Sequence, residues 1–190
     1  LLDGTTLLVN TTSLGMKGVE ILTNVAGKEL SEPDLAPFWQ KAEQLGALVV
    51  IHPNGFTQAE RLSRFYFNNV IGNPLETTIA LHYLIFDGVL ERFPDLRFGV
   101  IEQGAIWVPS WLRQMESAYD AFHRHEERLQ ALSLRPTEYV RRQVRFTPYP
   151  TDDVGWIIQQ SGPEVCLFSS DYPHVEGGRR PIERFEASLA

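Results

Sequence analysis

Cysteine is almost absent: the one thiol, Cys166, lies in the apolar run Val165-Cys166-Leu167-Phe168. No intrachain disulfide can form, a buried structural thiol is the natural reading, and a reducing compartment, the cytoplasm, is the expected location. Long hydrophobic runs are missing too. No stretch approaches the roughly 18 uncharged apolar residues of a membrane helix, and no basic-then-apolar leader precedes the first strand, so neither a span nor a secretory signal is expected. Basic residues are in the minority, 17 Lys and Arg against 24 Asp and Glu, for a net charge of -7. With no local basic stripe to offset that balance, nucleic acid is not an expected partner. Absent as well are a GxGxxG after a strand, a phosphate-binding GxxxxGK[ST] and a GxSxG, which removes the commonest nucleotide and serine-hydrolase motifs. There is no repeat, low-complexity tract or clear linker, and residues 1–190 read as a single domain.

What the chain does have is core-forming material: 43% of its 190 residues are hydrophobic and 11% aromatic, enough for a globular domain. Gly18 to Asn24 is short and β-rich, and Ser31-Glu32-Pro33 then opens a helix over Asp34 to Gln44, with Leu35, Phe38, Trp39 and Ala42 at helical spacing. Gly46 ends it. Ala47 to Ile51 follows as a continuous apolar strand of the kind buried on both faces. After an irregular stretch from Asn54 to Asn73, Pro74 to Phe93 reads as one long helix weakened by Gly88 and stopped by Pro94. Leu96 to Ile101 is the next strand, and about Pro109 to Arg128 the next helix. Gln143 to Phe146, the helix Asp152 to Gln160 and the strand Glu164 to Ser169 complete the pattern. Five strands alternating with helices imply a parallel sheet with right-handed crossovers, either open and doubly wound or part of a (β/α)8 barrel.

In both architectures ligands bind at the carboxyl ends of the strands, so the polar residue closing each apolar run is informative. Ile51 gives way to His52-Pro53, Ile101 to Glu102-Gln103-Gly104, and Ser169 to Ser170-Asp171-Tyr172-Pro173-His174. Imidazole and carboxylates converging at one barrel mouth can hold a divalent ion and leave a position open. Each residue also has an ordinary role: His52 as a loop histidine bonded to backbone, Glu102 as an acid favoured at a helix start, Asp171 as a turn former. All three ordinary roles would have to coincide at strand ends. His82 lies within a helix, and His123 and His125 sit in a charged run that reads as a solvated face. Trp107, Trp111 and Phe122 read as core packing, with Trp107 close enough to the Glu102 turn to line a pocket.

Four segments carry a resemblance: Val49-Val50-Ile51-His52-Pro53, Gly88 to Arg97, Glu102-Gln103-Gly104-Ala105-Ile106-Trp107-Val108-Pro109, and Phe168-Ser169-Ser170-Asp171-Tyr172-Pro173-His174-Val175-Glu176-Gly177. Together they resemble the amidohydrolase-related family, amidohydrolase family 2, whose members include aromatic acid decarboxylases and aminocarboxymuconate-semialdehyde decarboxylase. The likeness runs from about Gly18 to Phe185. It implies an α/β fold, a parallel (β/α)8 TIM barrel of the metal-dependent hydrolase type. It also implies hydrolysis of C–N or C–O bonds, or decarboxylation of a small aromatic or enoic acid, without an organic cofactor.

By position in that family, His52 matches the histidine ligand after the fifth strand, and Asp171 the aspartate after the eighth, which binds metal and exchanges protons. The implied cofactor is a divalent ion, zinc or manganese, which lowers the pKa of bound water towards about 7. Glu102 and His174 are candidates for proton traffic. Two departures matter. Many members carry a histidine where this chain has Glu102-Gln103, and the family's first strand, with its His-x-His or acidic ligand, has no counterpart upstream of Gly18. The chain begins Leu1-Leu2-Asp3 without methionine, so it is expected to be the carboxyl-terminal part of a longer protein, holding about the fourth to eighth strands. The expected partner is a small-molecule substrate, with a homo-oligomer left open. The rival expectation is a noncatalytic or degenerate barrel fragment that binds a small molecule.

Overall fold

The computed structural model describes residues 18–53, 60–170 and 179–189. Strands β1 (Gly18–Leu22), β2 (Leu48–His52), β3 (Arg97–Val100) and β4 (Val144–Phe146) form one sheet in chain order. Every pairing is parallel, with Gly18 opposite Leu48, Leu48 opposite Arg97, and Phe98 opposite Val144. Neighbouring parallel strands need a crossover, and helices supply each one. Helix α1 (Ala36–Leu45) joins β1 to β2. Helices α2 (Asn73–Phe86) and α3 (Val89–Arg92) join β2 to β3, and α4 (Val108–Phe122), α5 (Glu127–Gln130) and α6 (Pro136–Gln143) join β3 to β4. Helix α7 (Val154–Ser161) follows β4, and α8 (Pro181–Ala187) lies near the end.

The sheet's two faces differ. Val49, Ile51, Phe98, Val100, Val144 and Phe146 are all buried and share one face. Helices cover that face: Trp39 of α1 sits 5.7 Å from the Phe98 ring, and Trp111 of α4 sits 6.1 Å from Phe146. The opposite face carries the aligned row Glu20, Val50, Gly99 and Arg145. On it Leu48, Val50 and His52 are half-buried, so β2 alternates rather than being buried on both faces as its apolar run suggested. The alternation follows from the period of two along a strand and from helices packing on one side. Phe98→Ala, which empties the centre of the covered face, is expected to cost about 3–5 kcal/mol of stability, read from urea unfolding.

Several boundaries move for local reasons. The helix expected over Pro74 to Phe93 is two, because Gly88 takes a left-handed φ of 72° between α2 and α3. The helix expected to Arg128 stops at Phe122 and passes through a tight turn at His123–His125. Phe122, expected in the core, is 61% exposed. Helix α6 was hidden in the sequence by its polar face, although Pro136 opens it and the Arg135 N–H donates to Glu138 Oε2 at 2.8 Å. The fifth strand shrinks to a single parallel bridge between Cys166 and Phe146, with the Leu167 N–H donating to the Phe146 carbonyl at 2.8 Å. A tight turn at Pro163–Val165, entered from Gly162 at φ 101°, takes up the residues that would have extended it. Cys166 is half-buried, and burial, with the Asp152 charge added, pushes its thiol up to about 11. It is protonated at neutral pH, which fits a structural rather than a reactive thiol.

Candidate active site

His52 closes β2 two residues after Val50 and therefore on the same face, away from the helices. Next door, the ladder continues one residue past β3, where the Ile101 N–H donates to the Ile51 carbonyl at 3.3 Å. Glu102 then takes a left-handed φ of 61°. The turn brings its carboxylate back across the strand ends, and His52 Nε2 lies 2.9 Å from Glu102 Oε2. Both side chains are about a third exposed, at 29% and 33%, so the pair is within reach of a dissolved ligand.

A left-handed conformation at a residue with a Cβ costs on the order of 1–3 kcal/mol and persists where surrounding contacts fix it. Here the contacts come from several directions. Asn73, buried at the start of α2, donates through Nδ2 to the Glu102 carbonyl at 3.4 Å. Gln103 is buried and donates to the Ile101 carbonyl at 3.3 Å. Gly104 is also left-handed, at φ 61°, and its carbonyl accepts the Trp107 indole N–H at 3.2 Å. Only glycine suits that position, because a Cβ there would come within 2.6 Å of the Tyr149 ring.

The structure thus brings together two of the four residues singled out in the sequence, His52 and Glu102. Asp171 and His174 lie outside the described residues. Among the described residues no group of three or more His, Cys, Asp or Glu side chains forms a metal cluster. Trp107 is not beside the pair. Its ring packs on Trp111 and Phe146 at 5.6 Å, on the helix side, and it lines a groove between α2 and α4 with Thr78, His82 and Gln114. His82 is structural: Nδ1 meets the Thr78 carbonyl at 2.5 Å and the ring packs edge-on against Phe86 and Trp111. His123 packs on Tyr119 and His125 is exposed.

Sequence reasoning missed Asn73 and Asp152. Asp152 was read as the start of a helix, but the cap of α7 is its neighbour Asp153, which accepts from the Trp156 N–H at 2.8 Å. Asp152 turns instead to the Glu102 loop. Burial raises its carboxyl above the ordinary aspartate range, while bonds from the backbone N–H groups of Ala105, Tyr149 and Ile106 pull it back.

A parallel sheet with its polar residues at the carboxyl edge, matched over residues 10–187 by the family model described as amidohydrolase, decides the assignment. The chain belongs to the amidohydrolase family. Among curated proteins, 2-amino-3-carboxymuconate-6-semialdehyde decarboxylase of Dictyostelium discoideum is 28% identical over 175 residues, covering 92% of this chain and 48% of that protein. Among solved structures, 5-carboxyvanillate decarboxylase LigW of Sphingomonas paucimobilis aligns with a TM-score of 0.76 at 21% identity, covering 94% of this chain and 54% of the other. The 5-carboxyvanillate decarboxylase of Novosphingobium aromaticivorans, solved with manganese and 4-hydroxy-3-methoxy-5-nitrobenzoic acid, aligns with a TM-score of 0.73 at 22% identity, covering 94% and 52%. The chain spans about half the length of each of these relatives, and its parallel sheet is part of a TIM barrel. Among the described residues no helix is long and apolar enough to cross a membrane.

Proposed function

We propose that the protein containing this chain is a metal-dependent decarboxylase of a small aromatic or enoic acid. The observation that carries this reading is the His52–Glu102 pair, 2.9 Å apart at adjacent strand ends on the face of the sheet opposite Trp39 and Trp111. The relatives are decarboxylases by name, and the Novosphingobium structure holds manganese with a substituted benzoic acid. The donor chemistry fits a divalent ion: an imidazole nitrogen is an established ligand for zinc and manganese, and a carboxylate stands beside it. His52 and Asp171 would hold the ion, which when bound supplies Lewis acidity to orient and polarise an acid substrate.

The remaining roles fall to the chain itself. Glu102 sits where it can keep the His52 ring in one orientation and exchange a proton with a substrate carbon or a water at the strand ends. His174, three residues beyond Asp171, is the second candidate for that proton traffic. Loss of carbon dioxide leaves an electron pair on the substrate carbon, and a positioned acid must deliver a proton to it. A carboxylic acid or an imidazolium at the site would serve. Zinc and manganese are both consistent with the donor set, and hydrolysis of a C–N or C–O bond is the second activity the same residues support.

The test uses the full-length product of the gene encoding this chain. Bound metal is measured by plasma mass spectrometry, and turnover is measured against aromatic acids, enoic acids, amides and lactones. Release of carbon dioxide from an acid, dependent on a stoichiometric metal, is the expected result. A protein that holds no metal and turns over nothing would leave a noncatalytic barrel that binds a small molecule.

A further inference from the structure

The Glu102 turn is braced from outside. Asp152, half-buried in the loop between β4 and α7, accepts the Ala105 N–H at 2.8 Å and the Tyr149 N–H at 3.1 Å through one oxygen, Oδ2. The Ile106 backbone N–H also favours the ionised form of the same carboxylate. That carboxylate therefore ties the loop after β3 to the loop after β4, across the carboxyl ends of two neighbouring strands. Space is tight. A Cβ added to Gly104 would lie 3.0 Å from Asp152 Oδ2 and 2.6 Å from Tyr149 Cδ2, so the Glu102 turn presses directly on the Asp152 loop. A carboxylate that takes several backbone N–H bonds holds them more tightly than a neutral acceptor does. Asp153, not Asp152, caps α7, so helix capping does not explain the Asp152 side chain.

We propose that Asp152 is a positioning residue: by pinning the Gly104-Ala105-Ile106 backbone it holds Glu102 in its left-handed conformation and so sets the Glu102 carboxylate against His52. This rests on the role proposed for that pair, and it makes a claim the pair alone does not. The orientation of Glu102 depends on a residue 50 positions along the chain that acts through the backbone of the turn. Asparagine in place of Asp152 keeps the size but removes the charge, so that even with its amide oxygen in the Oδ2 position it accepts the Ala105 and Tyr149 N–H groups more weakly.

The experiment is Asp152→Asn in the full-length protein, read in three ways. Amide hydrogen exchange at Ala105 and Tyr149 should quicken at least about tenfold while Val49 and Phe98 in the sheet keep their protection. The nitrogen-15 shift of the His52 ring, at one fixed pH and without added metal, should move to the value seen in Glu102→Ala, since both lose the same contact. Turnover should fall, and adding Asp152→Asn to Glu102→Ala should lower it no further, because residues acting through one another do not combine independently. Should Asp152→Asn fail to fold, Asp152→Ala, which removes the acceptor without adding bulk or backbone strain to the loop, should give the same ring shift. Unchanged amide exchange, or an unchanged His52 ring shift, would overturn the proposal. So would losses that multiply in the double variant. An inactive, metal-free wild type would sink the functional reading while the exchange and ring-shift measurements still decide whether Asp152 positions Glu102.

Discussion

His52→Ala in the full-length protein is expected to lose bound metal and to lower turnover by at least about 10²–10⁴-fold, the range that a positioned acid–base group alone contributes. His52 sits on the face opposite Trp39 and Trp111 because it follows Val50 by two residues, and its register beside Leu22 places it at the very end of the sheet. Alanine removes the imidazole nitrogen proposed to hold the ion and also takes from the Glu102 carboxylate the contact it makes at 2.9 Å. Stability should change little, since the His52 side chain is 29% exposed and not part of the core. His125→Ala is the comparison, because His125 is exposed in the charged turn after α4 and should leave metal content and turnover alone. The check is metal content by mass spectrometry beside initial rates. A His52→Ala protein with wild-type metal content would remove His52 from the ligand set.

The parts of the fold that were legible in the sequence are those decided by local chemistry. Ala47 to Ile51 is an apolar run, Leu96 to Ile101 is a short β-rich segment after Pro94, and both lie on strands of the parallel sheet. The strand-end rule found His52 and Glu102, although 50 residues separate them, because parallel topology puts successive strand ends side by side. Features that depend on a distant partner were not legible. Whether Cys166 to Ser169 extends a sheet depends on what lies beside it, and here one bridge to Phe146 is all that forms among the described residues. The burial of β2 on one face follows from where Trp39 and the other helix residues pack, which a run of five apolar letters does not reveal. Asp152 was invisible for a related reason: Asp152 and Asp153 look alike in sequence, and only the fold sends one to a helix start and the other to the Glu102 turn. Of the two left-handed residues of the turn, Gly104 was marked by its glycine, whereas Glu102, a residue with a Cβ, carried no such mark.

Asp171→Asn carries the other large expected effect. Asparagine keeps the shape of the side chain while removing its negative charge and most of its basicity, so metal affinity and proton exchange should suffer together. Turnover is expected to fall by about 10²–10⁴-fold or more. In sequence the residue closes the run Phe168-Ser169-Ser170, the position at which the family resemblance expects a metal-binding aspartate. His174→Ala separates the two roles. If His174 serves only in proton traffic, its loss should lower turnover and leave metal content unchanged, whereas Asp171→Asn should lower both. Parallel assays of the wild type and both variants against aromatic and enoic acids, each with its metal content measured, give the comparison. Full activity with full metal in Asp171→Asn would take Asp171 out of the mechanism and leave His52 and Glu102 to be explained without it.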